Sequence, residues 1–211
     1  AYAVGLGPDK RPIGSVTSNL GHLLWAGIVP EHRAVQVSRH LMSGEMFSGW
    51  GLRTLASANP GYNPLSYHCG SVWPHDTAIA VAGLTRYHFD AEAQRITESL
   101  VDAAAVNDAR LPELFGGFDR SDVSEPVPYP TACSPQAWAA AAPLLLVRSM
   151  LGLDPDVPAG RLRLRPRLDP SLGRLTLTNV QIGGRSTTLV AEGSTVAAVD
   201  GLGPDVSTSI G

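Results

Sequence analysis

At 211 residues, 44% of them hydrophobic, the chain is long enough to bury a sizeable core. Sixteen basic against 19 acidic residues leave a net charge of −3 with scattered arginines, which argues against a general nucleic-acid surface. Two cysteines, Cys69 and Cys133, allow one disulfide at most and point to a reducing cytoplasm; the longest apolar run, 137–147, is roughly half a membrane span and contains Pro143.

No basic stretch followed by an apolar core opens the chain, and it begins without Met inside what reads as a structured segment. We expect a piece of a longer protein. Residues 15–28 place Leu20, Leu23, Leu24 and Ile28 at helical spacing behind polar capping candidates. Pro30 fits the first turn of a helix over 31–42, where its missing N–H costs nothing. The stretch 48–57 reads as a short, Gly-interrupted helix or turn. A helix over 75–88 is apolar on most sides and should be buried on more than one face, whereas 91–106 is amphipathic and outer. A last helix, 134–153, opens with Ser134 as N-cap and Pro135 at the first turn, with a kink at Pro143.

Alternation of nearly all-apolar with amphipathic helices is the pattern of concentric helical layers. From 159 onward the period changes to two, in 161–168, 174–182, 185–192 and 194–200, with Gly183–Gly184 as a hairpin turn and Glu192–Gly193 as a second. The arginines of 161–168 alternate with leucine, which suits an exposed strand face better than a polyanion patch. The expected domains are helical 1–153, an antiparallel β appendage at 154–202 and a flexible tail at 203–211.

The densest chemistry lies in the connecting segments. Glu113 stands in RLPELFGGF (110–118), between YNPLSYHCGSVWPHD (62–76) and PYPTACSPQAWAAAAPLLL (128–146). A carboxylate held in a cleft can deprotonate a water molecule, and inverting glycosidases set such a base across the sugar from a carboxylic acid. A cap or an ion pair with Arg110 or Arg120 is the alternative role for Glu113. Trp50, Trp73, Trp138, Tyr62, Tyr67 and Tyr129 all lie near Gly or Pro in connections, and as a set they suit the apolar faces and polar rims of sugar rings. Arg53 either forks to sugar hydroxyls or ion-pairs to fix a loop, and Asp76 either contacts sugar or stabilises the start of its helix. The spacing of His22, His68, His75 and Asp76 matches no metal pattern, so hydrogen bonding to hydroxyls or loop backbone is expected and a metal is not.

Taken in order, SNLGHLLWAGIV, MFSGWGLRTLA, YNPLSYHCGSVWPHDTAIAVAGLTRY, LPELFGGF and PVPYPTACSPQAWAAAAPLLL closely resemble the C-terminal part of bacterial amylo-α-1,6-glucosidase, or glycogen debranching enzyme-like, proteins. The resemblance spans residues 2–153. It implies a mainly α fold, a partial (α/α)6 toroid of the six-hairpin glycosidase kind with a small C-terminal antiparallel β appendage. It also implies hydrolysis of α-glucosidic linkages, α-1,6 branch points of glycogen-like glucans among them, by single displacement without a cofactor. Glu113 matches the catalytic base. Trp50, Arg53, Tyr67, His68, Trp73, His75, Asp76, Gln136 and Trp138 fall in motifs that build the sugar cleft.

The implied partners are an α-glucan or oligosaccharide and the remainder of the catalytic domain upstream, with neither nucleic acid nor membrane. No segment matching the family's general acid is found. Leu20 stands where proline is expected and Cys69 where asparagine is common. A trehalase-like or other α-glycosidase, or a non-catalytic carbohydrate-binding fragment, is the competing reading.

Overall fold

The computed structural model describes residues 2–211, which fall into two compact units divided after Leu146. In the first unit a short antiparallel ribbon, β1 (Gly5–Leu6) with β2 (Pro12–Ile13), precedes α1 (Asn19–Ala26) and α2 (Glu31–Leu41). Gly27, at φ 71°, ends α1 by returning its N–H to Leu23 and Leu24. Glu31 in the first turn of α2 and Arg39 and His40 in its last complement the helix dipole. Helix α3 (Pro74–Arg86) starts with proline in the first turn and buries Thr77, Ala78, Ala80, Val81, Gly83 and Leu84 on several sides. Helices α1 and α3 cross closely because their contact is built from small residues. Gly21 faces Ala80, and a Cβ on Gly83 would stand 2.7 Å from both Gly21 O and Trp25 N.

Helix α4 (Asp90–Ala105) turns Ala93, Ile96, Leu100 and Ala103 inward and leaves Val101 in solvent. Its buried residues join Leu24, Leu41, Leu52, Val72, Val81, Leu84 and Phe115 in one core. Leu100 is fully buried, so Leu100→Ala is expected to cost about 2–5 kcal/mol, read from the urea midpoint. Helix α5 (Ala137–Leu151) begins after Pro135 rather than at Ser134, carries Pro143 inside it, and seats Ala142 and Leu146 against the same core.

The second unit, from Val147, is β-rich. Strands β3 (Asp154–Asp156), β4 (Arg161–Leu164) and β8 (Ser207–Ile210) form one sheet, and β5 (Arg174–Ile182), β6 (Arg185–Glu192) and β7 (Thr195–Asp200) another. Gly183 and Gly184, at φ 59° and 75°, make the two-residue turn between β5 and β6. Glu192 pairs with Thr195, which moves the next turn to Gly193–Ser194. In β4 the leucines are buried and the arginines exposed, with Arg161 bonded to Asp156 at 2.7 Å and Arg163 to Asp154 at 2.9 Å across the β3–β4 pair. This is the exposed strand face expected of the Arg–Leu alternation. The residues expected as a flexible tail, 203–211, include β8, which pairs in parallel with β4. The appendage is therefore not wholly antiparallel.

The partial (α/α)6 toroid is overturned. Helix makes up 33% of the chain and strand 22%, in five helices and three sheets among the described residues, so the fold is mixed rather than mainly α. Residues 42–73 and 106–136 hold no helix. Rich in Gly and Pro, they satisfy their backbone groups across the chain instead of along it.

Candidate active site

Four segments distant in sequence lie side by side through single-residue bridges: Arg53 pairs with Val72, Val72 with Phe115, and Phe115 with Pro128. The Val72 and Phe115 amides exchange hydrogen bonds of 2.9 and 3.0 Å, Gly116 N donates to Val127 O, and Gly117 N donates to Pro64 O. This ladder sets Tyr67–Trp73 on one side of Glu113 and Tyr129–Cys133 on the other. The stretch expected as a helix or turn at 48–57 belongs to it.

Glu113 is only 5% exposed, yet it is well supplied with donors. The Cys133 amide donates to Oε2 at 3.0 Å, and the Tyr67 hydroxyl donates to Oε1 at 2.7 Å. Gln136 Nε2 approaches Oε1 at 3.5 Å. The Cys133 N–H first, and the Tyr67 O–H next, pull the carboxyl below its ordinary pKa against the opposing effect of burial. The group is therefore ionised at neutral pH. A carboxylate offers about four lone-pair sites, so these donors leave it able to accept a proton from water. In return the carboxylate, through that hydrogen bond above all, pushes the Tyr67 phenol up to about 12.

An aromatic wall continues from Tyr67. Its ring lies 5.7 Å from Tyr129, 4.6 Å from His68 and 4.8 Å from Trp73, edge-on to the indole. The Trp73 indole N–H donates to Tyr67 O and Ser71 Oγ, both at 3.0 Å, which fixes the ring. Beyond it, the rings of His75 and Trp138 stack 4.3 Å apart at 10°. His68, Cys69, Trp73, His75, Asp76 and Trp138 face a cleft of about 640 Å³, a volume that suits a small glycoside.

At the start of α3, Asp76 Oδ1 meets His22 Nε2 of α1 at 2.6 Å. That bond raises the His22 pKa above its ordinary value, whereas burial lowers that of His75. In sequence His22 reads as a hydrogen-bonding residue for hydroxyls or loop backbone, and no spacing rule pairs it with a residue 54 positions away. No cluster of three metal-ligating side chains exists among the described residues.

The other charged and aromatic candidates lie in the scaffold. Arg53 is 3% exposed and donates through Nε to Gly117 O at 2.7 Å, through one terminal nitrogen to Gly44 O at 2.7 Å and through the other to Asp119 at 3.3 Å. Its fork fixes the Glu113 loop from beneath. Trp50 is buried under the Arg120 guanidinium, which stands 4.2 Å from the ring centre. Neither borders the cleft, and Glu113, Tyr67 and Gln136 are not among its lining residues either. The Cys133 amide is invisible in sequence, since a backbone donor carries no residue signature.

Tyr67→Phe removes a donor to the ionised form of Glu113 and so raises that carboxyl toward its ordinary pKa. The acidic limb of the kcat/KM profile of the intact protein is expected to move to higher pH, with the rate at neutral pH little changed because a carboxyl at its ordinary pKa is still ionised there. An unmoved acidic limb would contradict this.

The family described as Mannosylglycerate hydrolase MGH1-like glycoside hydrolase domain matches residues 8–119, a span that includes Glu113. An uncharacterized conserved protein from Thermus thermophilus is similar in structure, with 22% identity, a TM-score of 0.51, and coverage of 65% of this chain and 32% of that one. A GH63 mannosylglycerate hydrolase from the same organism, crystallised with glucose, aligns at 22% identity and a TM-score of 0.49 over 65% of this chain and 30% of its own. The chain thus spans about a third of the length of these structures. No curated protein matches it.

Proposed function

Because this chain belongs to the MGH1-like glycoside hydrolase domain family, we propose that Glu113 is the general base of an inverting glycoside hydrolase. The observation that carries the reading is the carboxylate itself, buried, held ionised by Cys133 N–H and Tyr67 O–H, and set behind an aromatic wall. Water bound to Glu113 loses a proton to it while attacking the anomeric carbon from the face opposite the leaving group. A carboxylic acid from a segment outside these residues protonates the departing oxygen. The pyranose ring lies against the half-exposed ring of Trp138, whose face covers its C–H surface.

The substrate is a glycoside. The family's description favours a mannosyl conjugate of an organic acid such as mannosylglycerate. The ordered motifs favour a second substrate, an α-glucosidic linkage such as an α-1,6 branch point. Two exposed, unpaired thiols, Cys69 and Cys133, fit a reducing cytoplasm.

The test is proton NMR of the intact protein acting on a panel of mannosylglycerate, α-1,6-branched glucan and trehalose. Release of the sugar first as the β-anomer from an α-linked substrate is expected. Initial release of the α-anomer overturns the base assignment, and the substrate that turns over fastest decides between the two linkages.

A further inference from the structure

A second cavity, of about 370 Å³, lies in the same unit and shares no lining residue with the cleft. It backs onto the clamp around Glu113. Pro112 and Leu114, the two neighbours of that residue, border it, while the Glu113 carboxylate itself turns to Tyr67 and Cys133. Ala132 and Ser134, on either side of Cys133, border it as well. So does Tyr129, whose ring lies 5.7 Å from that of Tyr67.

The rim of this cavity carries a strained turn. Asp108 and Ala109 both hold positive φ, 53° and 57°, a conformation that a residue with a Cβ adopts at a cost and that collects at functional positions. The Asn107 and Ala109 amides both donate to Ala104 O, at 3.0 and 2.9 Å, which pins the turn to the end of α4. It delivers two opposite charges, Asp108 and Arg110, to one cavity. Neither side chain is ion-paired or hydrogen-bonded among the described residues. Pro112, Pro126, Pro128 and the Tyr129 ring supply apolar wall beside them.

Opposite charges side by side disfavour a ligand of either net sign, since what one attracts the other repels. A neutral polyol suits both. The guanidinium donates to its hydroxyl oxygens, the carboxylate accepts from its hydroxyl hydrogens, and proline and tyrosine rings cover its C–H faces. We infer that this cavity is a second ligand site, for a ring-shaped polyol of monosaccharide size, whose occupant is an effector of the Glu113 site and not a substrate. The effector role rests on the reading of Glu113 as the base; the binding does not. A ligand filling the cavity braces Pro112, Leu114 and Ala132, so the Glu113 and Cys133 segments are held together and turnover rises.

The experiment has two arms, both on the intact protein. In the first, saturation-transfer NMR measures the binding of myo-inositol, with sodium acetate and glycine as charged probes. Myo-inositol is expected to bind, and the surface substitutions Asp108→Asn and Arg110→Gln should each weaken it about tenfold. Trp138→Ala, in the cleft, should leave its binding within about twofold of wild type. In the second arm myo-inositol is added to initial-rate measurements. The kcat is expected to rise about twofold or more at unchanged KM, and the response should vanish in Asp108→Asn and Arg110→Gln.

No binding by wild type, binding that both rim variants leave intact, or binding lost in Trp138→Ala overturns the site. Tighter binding of acetate or glycine does so too, by assigning the cavity to a charged ligand. Binding with kcat unchanged, or competition with substrate alone, overturns the effector role. If wild type hydrolyses nothing on the panel, the base assignment and the effector role fall together, while the binding arm still decides the site.

Discussion

Glu113→Gln in the intact protein is expected to lower turnover by about 10²–10⁴-fold, with KM little changed and the melting temperature close to wild type. Glutamine keeps the shape of the side chain and one acceptor oxygen, so the hydrogen bond from Tyr67 at Oε1 can persist. What it loses is the ability to take a proton, and that loss falls on the chemical step alone. The carboxyl of Glu113 is held low by Cys133 and Tyr67, so in the wild type the ionised form is favoured in the folded state. That stabilisation is present above the unfolded carboxyl's pKa and disappears as pH falls through the folded one. At neutral pH the variant forgoes this contribution, yet it also removes a charge from a 5% exposed site, and the two effects oppose each other. Initial rates on the best substrate of the panel, together with thermal melts, decide the outcome. Near-normal turnover would reassign the base.

Gly117→Ala should be among the most damaging single methyl additions in the chain. A Cβ there would be driven into the carbonyl oxygen of Gly70 and would stand 2.8 Å from its carbon. Retreat is hindered because Asn63 O and the Tyr62 ring occupy the place where a Cβ on Gly70 would stand, and the Asn63 N–H donates to Cys69 O at 2.9 Å. Gly117 is anchored as well, with its N–H on Pro64 O and its carbonyl receiving Arg53 at 2.7 Å and Tyr62 at 2.8 Å. Relief therefore requires the 62–70 and 113–119 segments to part, which breaks the Val72–Phe115 pairing and moves Glu113. A destabilisation of about 3 kcal/mol or more is expected, with activity lost even where the variant remains folded. Gly44→Ala, whose Cβ would meet nothing within 4 Å, serves as the control and should shift the urea midpoint by little.

The helices are legible in sequence where an apolar stripe and a cap coincide. Leu20 and Leu24 of α1, Ile96 and Leu100 of α4, and the near-continuous apolar surface of α3 each mark the face that the structure buries. The hairpin at Gly183–Gly184 is legible because only residues free at positive φ make that turn. The layered toroid is not a safe extension of these signals. Periodicity says which face of a helix is covered and nothing about what covers it, and the Gly- and Pro-rich spans between helices resolve into a cross-chain ladder. The strand at Ser207–Ile210 leaves no mark in sequence for a related reason. Its residues are exposed on both faces, so it carries no alternation, and it exists by pairing with Arg161–Leu164.

At the site, Glu113, Tyr67 and Gln136 stand out by their motifs and are brought together. Arg53 stands out as well but is spent on main-chain carbonyls, because an arginine beside glycines reads the same whether its fork meets a sugar or the Gly117 backbone. His22 and the Cys133 amide depend on pairings 54 and 20 residues apart, which local sequence does not encode.

Tyr67 serves two masters. Its hydroxyl joins the Cys133 N–H in holding the Glu113 carboxyl below its ordinary pKa, while its carbonyl receives both the indole N–H of Trp73 and the Ser71 hydroxyl, at 3.0 and 2.8 Å. One residue thereby ties the strength of the base to the tilt of the surface on which a sugar would rest. The half-exposed ring of Trp138, packed on Trp73 and His75 rather than on Tyr67, can be exchanged with less disturbance to Glu113.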